Sequence, residues 1–166
     1  IGLEFVKQLL QDGNLAQIYA TYRCWESAEE LIGIAKDYPN RLICLPMDVT
    51  EEGQIADVAA KMHSAIDKLH LTINCIGFLH EGEIRPEKGL RQVESESLLR
   101  YFQVNSIGGV LLAKHLLPLF RHDERSVFAS ISAKIGSIGD NDLGGWYGYR
   151  ASRAAVNMLM RTISIE

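Results

Sequence analysis

The hydrophobic positions along the chain form two kinds of segment, which alternate with each other. Five segments repeat apolar residues every three or four positions, which predicts amphipathic helices over 2–12, 27–38, 50–66, 96–120 and 147–166. Four short segments between them are almost continuously apolar, as strands buried on both faces are, at 16–22, 41–49, 69–78 and 125–133. Gly13-Asn14 is expected to end the first helix, while Ser27 and Thr50 are expected to cap the second and third.

The order of these elements predicts the fold class. Helices alternate with strands along the whole chain, so right-handed crossovers should set parallel strands side by side with helices on both faces. We therefore expect one α/β domain over residues 1–166, built on a doubly wound parallel sheet. Ligands of such sheets bind beyond the carboxyl ends of the strands, so the residues that follow each strand are the candidates for function.

Composition narrows the classes of partner. A net charge of -4 over 166 residues gives no reason to expect nucleic acid or an anionic membrane. No apolar run approaches the ~18–20 residues that span a bilayer. Cys24, Cys44 and Cys75 form no CxxC pair, which favours free thiols in a reducing cytoplasm. Five histidines lack ligand spacing, so no metal site is expected.

Polar residues follow the first two predicted strands. Arg23, next to Tyr22, could pair with a 2′-phosphate such as that of NADP, or could simply be a solvated surface residue. Asp48, followed by Val49, could accept a hydrogen bond from an adenine amino group or cap the helix that follows.

The third and fourth strands also lead into candidate residues. Gly77 would let a backbone approach a ligand closely, and Asn74 could bond either backbone or cofactor. Serines are common in loops as well as in sites, and three lie at the end of the fourth strand or after it: Ser130, Ser132 and Ser137.

Asn105 is an unfavourable residue inside the predicted fourth helix. It is followed by a serine and, two positions later, by a pair of glycines, and all of these are weak helix formers. Such a weak point indicates a kink or a functional carbonyl, or else an ordinary packed helix contact.

The last helix begins with YGYRASR at 147–153. Tyr149 and Arg153 are four residues apart, which places their side chains on one face, one turn apart. A phenol beside a fixed cation can be a proton donor, because a nearby cation lowers the pKa of a phenol from about 10. The pair could equally be surface packing.

In this order the motifs resemble the short-chain dehydrogenase/reductase family over the whole chain. They are IG at 1–2, DV at 48–49, NCIG at 74–77, NSIG at 105–108, ISAKIGS at 131–137 and YRASR at 149–153. The stretch at 136–152, GSIGDNDLGGWYGYRAS, is similar to the C-factor-like and sniffer-type carbonyl reductase branch.

The resemblance implies a Rossmann-like fold and hydride transfer between NADPH, preferred to NADH, and a carbonyl or alcohol. Tyr149 would protonate the carbonyl oxygen, Arg153 would hold the nicotinamide ribose and Asn105 a relay water. A small-molecule substrate and a homodimer or homotetramer are implied as partners. The implied cofactor contacts are Gly2, Tyr22, Arg23, Asp48, Val49, Asn74, Cys75, Ile76, Gly77, Tyr149 and Arg153.

Three departures from the family pattern bear on activity. Arg153 stands where the family has lysine; it keeps the charge but cannot release a proton, so the relay should suffer. Ala133 replaces the second serine of ISS, which makes Ser137 the first choice for the substrate-bonding serine and Ser132 the second. Cys75 and Ile76 replace Asn and Ala of NNAG, with an effect expected on packing. The alternative function is therefore a non-catalytic NADP(H)-binding relative with a sensor or signalling role.

The first residues match the end of a longer motif. Ile1-Gly2 resemble the last two residues of the glycine-rich turn TGxxxGIG that grips the pyrophosphate. The resemblance implies that a preceding strand and a C-terminal part, with the substrate loop, belong to a longer protein of which this chain is a piece.

Overall fold

A computed structural model describes residues 1–13 and 17–166. Within those ranges helices alternate with strands in the predicted order, and every predicted strand is present but shorter than its apolar run. The helices and strands are α1 (Gly2–Gln11), β1 (Ile18–Tyr22), α2 (Glu29–Asp37), β2 (Leu42–Pro46), α3 (Glu52–Ala65), β3 (Leu71–Asn74), α4 (Ser95–Phe102), α5 (Gly108–Leu116), β4 (Val127–Ser130) and α6 (Tyr147–Ile163).

Residues 1–62 form one compact unit. Its strands β1 and β2 are parallel, with Ile18 opposite Leu42 and Tyr22 opposite Pro46. The core beside them is apolar and draws on both helices and strands: Val6, Leu10, Ala20, Leu31 and Leu42. The Arg41 guanidinium donates to the Leu10 and Asp12 carbonyls at 3.2 and 2.8 Å, so it satisfies backbone acceptors at the end of α1.

The predicted helix ends in this unit need correction. The α1 helix already ends at Gln11, and Asn14 and Ala16, which the prediction used, lie outside the described residues. Ser27 is not a cap, because α2 begins after a 3₁₀ turn and the Ser27 hydroxyl donates to the Cys24 carbonyl. The α3 helix begins at Glu52, two residues beyond Thr50.

Residues 63–166 form a second compact unit. Its strands β3 and β4 are parallel, with Leu71 opposite Val127 and Asn74 opposite Ser130. Leu112, Leu116 and Val156 are among its buried apolar side chains, and Tyr101 is fully enclosed. The described helices include none that is long and apolar enough to cross a membrane.

The helix predicted over 96–120 is present as one unbroken helical run, but it is not a uniform α-helix. The chain passes from α4 through a π-helical segment, Gln103–Ile107, into α5, and ends in a 3₁₀ turn, Leu117–Phe120. Asn105 lies in the π-helical segment, so the weak point in the sequence marks an irregular helix. Such π segments occur mostly as single turns inside α-helices, often at functional sites.

Candidate active site

Tyr149 and Arg153 lie one turn apart on α6, as their spacing predicts. The Arg153 guanidinium carbon is 5.2 Å from the centre of the Tyr149 ring, so a fixed positive charge faces the phenol. The Tyr149 ring also meets the rings of Tyr101 and Trp146 edge-on, at centroid distances of 6.1 and 6.2 Å. The phenol is therefore enclosed by an aromatic ring from α4, another from the residue before α6, and a cation one turn further along α6.

Arg153 is a buried cation, with 7% of its surface exposed. Its Nη1 donates to the Ile131 carbonyl at 3.2 Å, whereas its buried Nε has no acceptor. A Cβ atom at Gly77 would lie 1.9 Å from Nη2, so the guanidinium packs directly on the Gly77 backbone. Across the described part of the chain, no carboxylate forms a salt bridge with Arg153. Burying a charge without such a partner is costly. Because no salt bridge offsets it, the positive charge of Arg153 acts on the neighbouring Tyr149.

Tyr101 is the other phenol of this region, and its environment keeps it neutral. Burial, followed by the negative charge of Glu87 and by Tyr149, raises the pKa of Tyr101 to about 12. Its hydroxyl donates to the Leu79 carbonyl at 2.8 Å. Tyr149 differs from Tyr101 in having a cation over its ring.

The Asn105 side chain joins the loop after β3 to α6. Its Oδ1 accepts from the Phe78 N–H at 2.8 Å, and its Nδ2 donates to the Phe78 carbonyl at 3.2 Å and the Ser152 hydroxyl at 3.1 Å. Asn105 is 2% exposed, so these bonds replace its contacts with water. The relay role implied for Asn105 stays a prediction.

Asn74 fixes the turn that follows β3. Its Oδ1 accepts from the Ile76 N–H at 3.1 Å, and its Nδ2 donates to the Ser130 hydroxyl at 3.1 Å. Of the two roles considered for Asn74, the structure shows the bond to backbone. Cys75 and Ile76 are half-buried in this turn, which leads to Gly77 under the guanidinium.

The two candidate serines differ in surroundings. The Ser132 hydroxyl donates to Asn157 Oδ1 on α6 at 2.7 Å and approaches the Arg153 carbonyl at 3.5 Å. Ser137 is exposed and follows the 3₁₀ turn Lys134–Gly136. Ser132 thus has a strong partner within the protein, whereas Ser137 faces solvent.

The remaining candidates lie in residues 1–62 and are described by their own surroundings. Gly2 is the first residue of α1, Tyr22 is the last of β1, and Arg23 is exposed directly after it. Asp48 Oδ1 accepts from the Thr50 N–H at 2.9 Å and its hydroxyl at 2.8 Å, while Val49 is buried. Asp48 thus closes a turn over residues 48–50, just before α3 begins at Glu52. The structure shows this local role, and the adenine contact stays a prediction.

Glu87 is the residue that sequence reasoning missed. It lies in the loop between β3 and α4, which reads as polar and featureless, yet it is 3% exposed. Both carboxylate oxygens lie 3.3 Å from the Gly148 nitrogen at the start of α6. Sixty-one positions separate the two residues, so no local spacing could have indicated this contact.

Comparisons with known proteins identify the class of protein and then the family. The NADPH-bound carbonyl reductase from chicken fatty liver superposes with a TM-score of 0.87 at 30% identity, over 99% of this chain and 68% of that one. The carbonyl reductase Sniffer of D. melanogaster gives a TM-score of 0.87 at 28% identity, over 99% and 69%. The fold is thus the Rossmann type, as predicted. A family profile described as enoyl-(acyl carrier protein) reductase matches residues 1–166, and the chain belongs to the short-chain dehydrogenase/reductase family.

A curated relative extends the likeness to the predicted branch. The C-signal of Myxococcus xanthus is 32% identical over 77 residues, which cover 46% of each chain. The likeness to C-factor-like and sniffer-type proteins is therefore confirmed. This chain spans between 46% and 63% of the length of the first curated relatives that it matches.

Proposed function

We propose that the intact protein is an NADP-dependent reductase of the short-chain type, which interconverts a small carbonyl compound and its alcohol. One observation carries this proposal: the Tyr149 phenol has the buried Arg153 guanidinium 5.2 Å from its ring, and no carboxylate of the described residues forms a salt bridge with that guanidinium. A phenol beside an uncompensated cation is suited to give up a proton as negative charge develops on a carbonyl oxygen.

The chain's residues fit a nicotinamide cofactor. The Arg153 Nε–H lacks an acceptor within the protein, and ribose hydroxyls are acceptors of the kind it needs. NADPH, when bound, supplies the hydride. We infer that Asn74, Cys75, Ile76, Gly77, Tyr149 and Arg153 hold it in residues 63–166. Gly2, Tyr22, Arg23, Asp48 and Val49 hold it in residues 1–62. The NADP preference rests on the exposed Arg23 and on the NADPH-bound state of the chicken relative.

The proton path follows from the chemistry of these side chains. The Tyr149 hydroxyl gives its proton to the carbonyl oxygen, and the guanidinium stabilises the phenolate that remains. Arginine does not deprotonate in proteins, so Arg153 cannot return a proton to Tyr149 and the phenolate is reprotonated from solvent. Ser137, exposed and near the family spacing, is the proposed hydrogen-bond donor to the substrate oxygen, and Ser132 is the second choice.

A second candidate function is a non-catalytic NADP(H)-binding protein with a sensor or signalling role. The observation that favours it is Arg153 at the position of the family lysine, together with the bond that commits Ser132 to Asn157. The similarity to the C-signal of M. xanthus fits this second function.

One experiment separates these functions. NADPH oxidation by the intact protein is measured against a panel of aldehydes and ketones, with NADPH affinity measured by fluorescence and Arg153→Lys assayed in parallel. We expect wild-type turnover, preserved or raised in Arg153→Lys, because lysine keeps the charge and can release a proton. NADPH binding without wild-type turnover, with activity gained in Arg153→Lys, would favour the second function. A protein that neither binds NADPH nor turns over would refute both.

A further inference from the structure

We propose that Glu87 is a positioning residue that anchors the start of α6 and thereby sets the place of Tyr149. This inference rests on the proposed reductase function, because it concerns the acid of that reaction. Glu87 belongs to the loop after β3. Its hydrogen bonds are to the residues on either side of Tyr147, and none of them is to Tyr149. Its effect is transmitted through two backbone N–H groups at the helix terminus.

The first contact is made by the Glu87 side chain. Both carboxylate oxygens lie 3.3 Å from the N–H of Gly148, the residue directly before Tyr149. The first turn of a helix has N–H groups without partners inside the helix, and a negative charge there is favoured by the helix dipole. The α6 helix has no side-chain cap from its own N-cap residue, Trp146. The Glu87 carboxylate therefore supplies the cap from a distant loop.

The second contact is made by the Glu87 backbone. Its carbonyl accepts from the Trp146 N–H at 2.6 Å. A Cβ atom at Gly145 would lie 3.2 Å from the same carbonyl oxygen, so the two backbones are closely packed. Glu87 thus holds both the residue before α6 and the second residue of the helix.

The backbone that enters α6 is strained and needs such an anchor. Gly144, Gly145 and Trp146 have φ angles of +64°, +66° and +54°, so three successive residues are left-handed. A left-handed conformation is unfavourable for a residue with a side chain, because Cβ then crowds the backbone, and Trp146 is such a residue. The bond to Glu87 keeps Trp146 in this conformation, and its ring meets Tyr149 edge-on.

The surroundings of Gly148 make this anchor sensitive to position. Gly148 is buried, and a Cβ atom there would lie 2.4 Å from the Tyr101 ring and 3.0 Å from Leu98. The helix start is thus pressed against α4 on one side and tied to Glu87 by hydrogen bonds. Releasing the Glu87 carboxylate would let Gly148 and Tyr149 shift together, and misplacement of about 1 Å costs about a hundredfold in rate.

The test compares four variants of the intact protein. Glu87→Ala removes the acceptor, Glu87→Gln keeps an acceptor oxygen without the charge, and Glu87→Asp withdraws the carboxylate by one methylene group. Glu83→Ala, an exposed glutamate of the same loop, is the matched control. Each variant is assayed for kcat and for NADPH Kd. Hydrogen exchange at the Gly148 amide is measured by NMR.

We expect Glu87→Ala to lower kcat at least about tenfold with NADPH Kd changed less than about threefold. The Gly148 amide should lose its protection in this variant. Glu87→Gln should restore most of kcat and most of the protection, while Glu87→Asp falls between them, and Glu83→Ala should match the wild type.

Three outcomes would overturn the proposal. One is Gly148 protection that survives in Glu87→Ala; a second is unchanged kcat after protection is lost; a third is a Glu87→Gln variant no better than Glu87→Ala. If Glu87→Ala does not fold, Glu87→Asp and Glu87→Gln decide by the same readouts. A wild-type protein without turnover would count against the reductase function alone, because hydrogen exchange still shows whether Glu87 holds α6.

Discussion

The Arg153 guanidinium packs against backbone groups that lie far from it in the chain. Its spacing from Tyr149 predicts a shared helix face, and the structure confirms it. The sequence gives no sign that the guanidinium packs on Gly77 or donates to the Ile131 carbonyl, since these partners are 76 and 22 positions away. The absence of a side chain at Gly77 is thus a steric requirement of the arginine.

A substitution at Gly77 tests this packing. In Gly77→Ala the new Cβ atom would lie 1.9 Å from Nη2 and 2.8 Å from Cζ of Arg153, so the guanidinium would have to shift, which would disturb its bond to the Ile131 carbonyl. Overpacking of this kind lowers the free energy of unfolding by about 1–3 kcal/mol. Urea denaturation of the intact protein measures the change.

The control is Gly33→Ala in the interior of α2. No atom lies within 4 Å of a Cβ at Gly33, so alanine should raise stability there by up to about 1 kcal/mol through helix propensity. Equal stability of Gly77→Ala and the wild type would show that the guanidinium does not depend on the bare Gly77 backbone.

At the scale of the elements, sequence patterns predict which segments are helices and strands better than where they end. Apolar runs extend beyond the hydrogen-bonded ladders: β3 stops at Asn74, whose partner Ser130 ends β4. The chain continues with apolar residues up to Phe78, but Asn74 turns the backbone by bonding the Ile76 N–H. Strand ends therefore depend on side-chain bonds between residues distant in sequence.

The π-helical segment between α4 and α5 was likewise predictable only in part. Asn105 and the glycines after it indicate a weak helix, but not which irregularity results. The bonds that hold Asn105 reach Phe78 and Ser152, 27 and 47 positions away. Only the packed structure brings these three residues together.

Ion pairs between exposed side chains link the segments that lead into β3 and β4. They predict that the stability of the fold depends on pH. The Glu124 carboxylate pairs with the Lys68 ammonium and with His70 Nε2 at 2.8 Å. These hydrogen bonds, Lys68 first, lower the pKa of Glu124 to about 2 from an ordinary 4.5. Since the pKa is lowered in the folded state, the stabilisation is present above pH 4.5 and is lost as the pH falls towards 2.

Glu124→Gln should therefore lose less stability than the wild type between pH 5.5 and pH 3. The urea midpoint at both values measures the difference, which 1 M NaCl should reduce because the group is exposed. Asp123→Asn, its exposed neighbour, serves as the control. An identical pH dependence in Glu124→Gln and the wild type would show that the ion pairs do not stabilise these strand starts.

At the scale of the whole molecule, the chain order of motifs carries more information than any one motif. Asn74, Asn105, Tyr149 and Arg153 each have an ordinary alternative explanation. Together, on an alternating α/β pattern, they predict the family to which the chain belongs. Glu87 could not be predicted in this way, because no motif includes it. Its proposed function depends on a contact with Gly148, which is distant in sequence.

If Tyr149 is the acid of a carbonyl reductase, as proposed, loss of its hydroxyl should suppress turnover while α6 stays intact. The rate of NADPH oxidation is measured for Tyr149→Phe and Tyr147→Phe of the intact protein, with a carbonyl compound that the wild type reduces. Tyr147 is 40% exposed on the same turn of α6, so its loss controls for general effects on the helix.

Removing the Tyr149 hydroxyl should lower kcat by at least about a hundredfold, since general acid catalysis contributes about 10²–10⁴. Tyr147→Phe should stay within about threefold of the wild type. A Tyr149→Phe variant that folds, binds NADPH and keeps wild-type kcat would show that Tyr149 is not the acid.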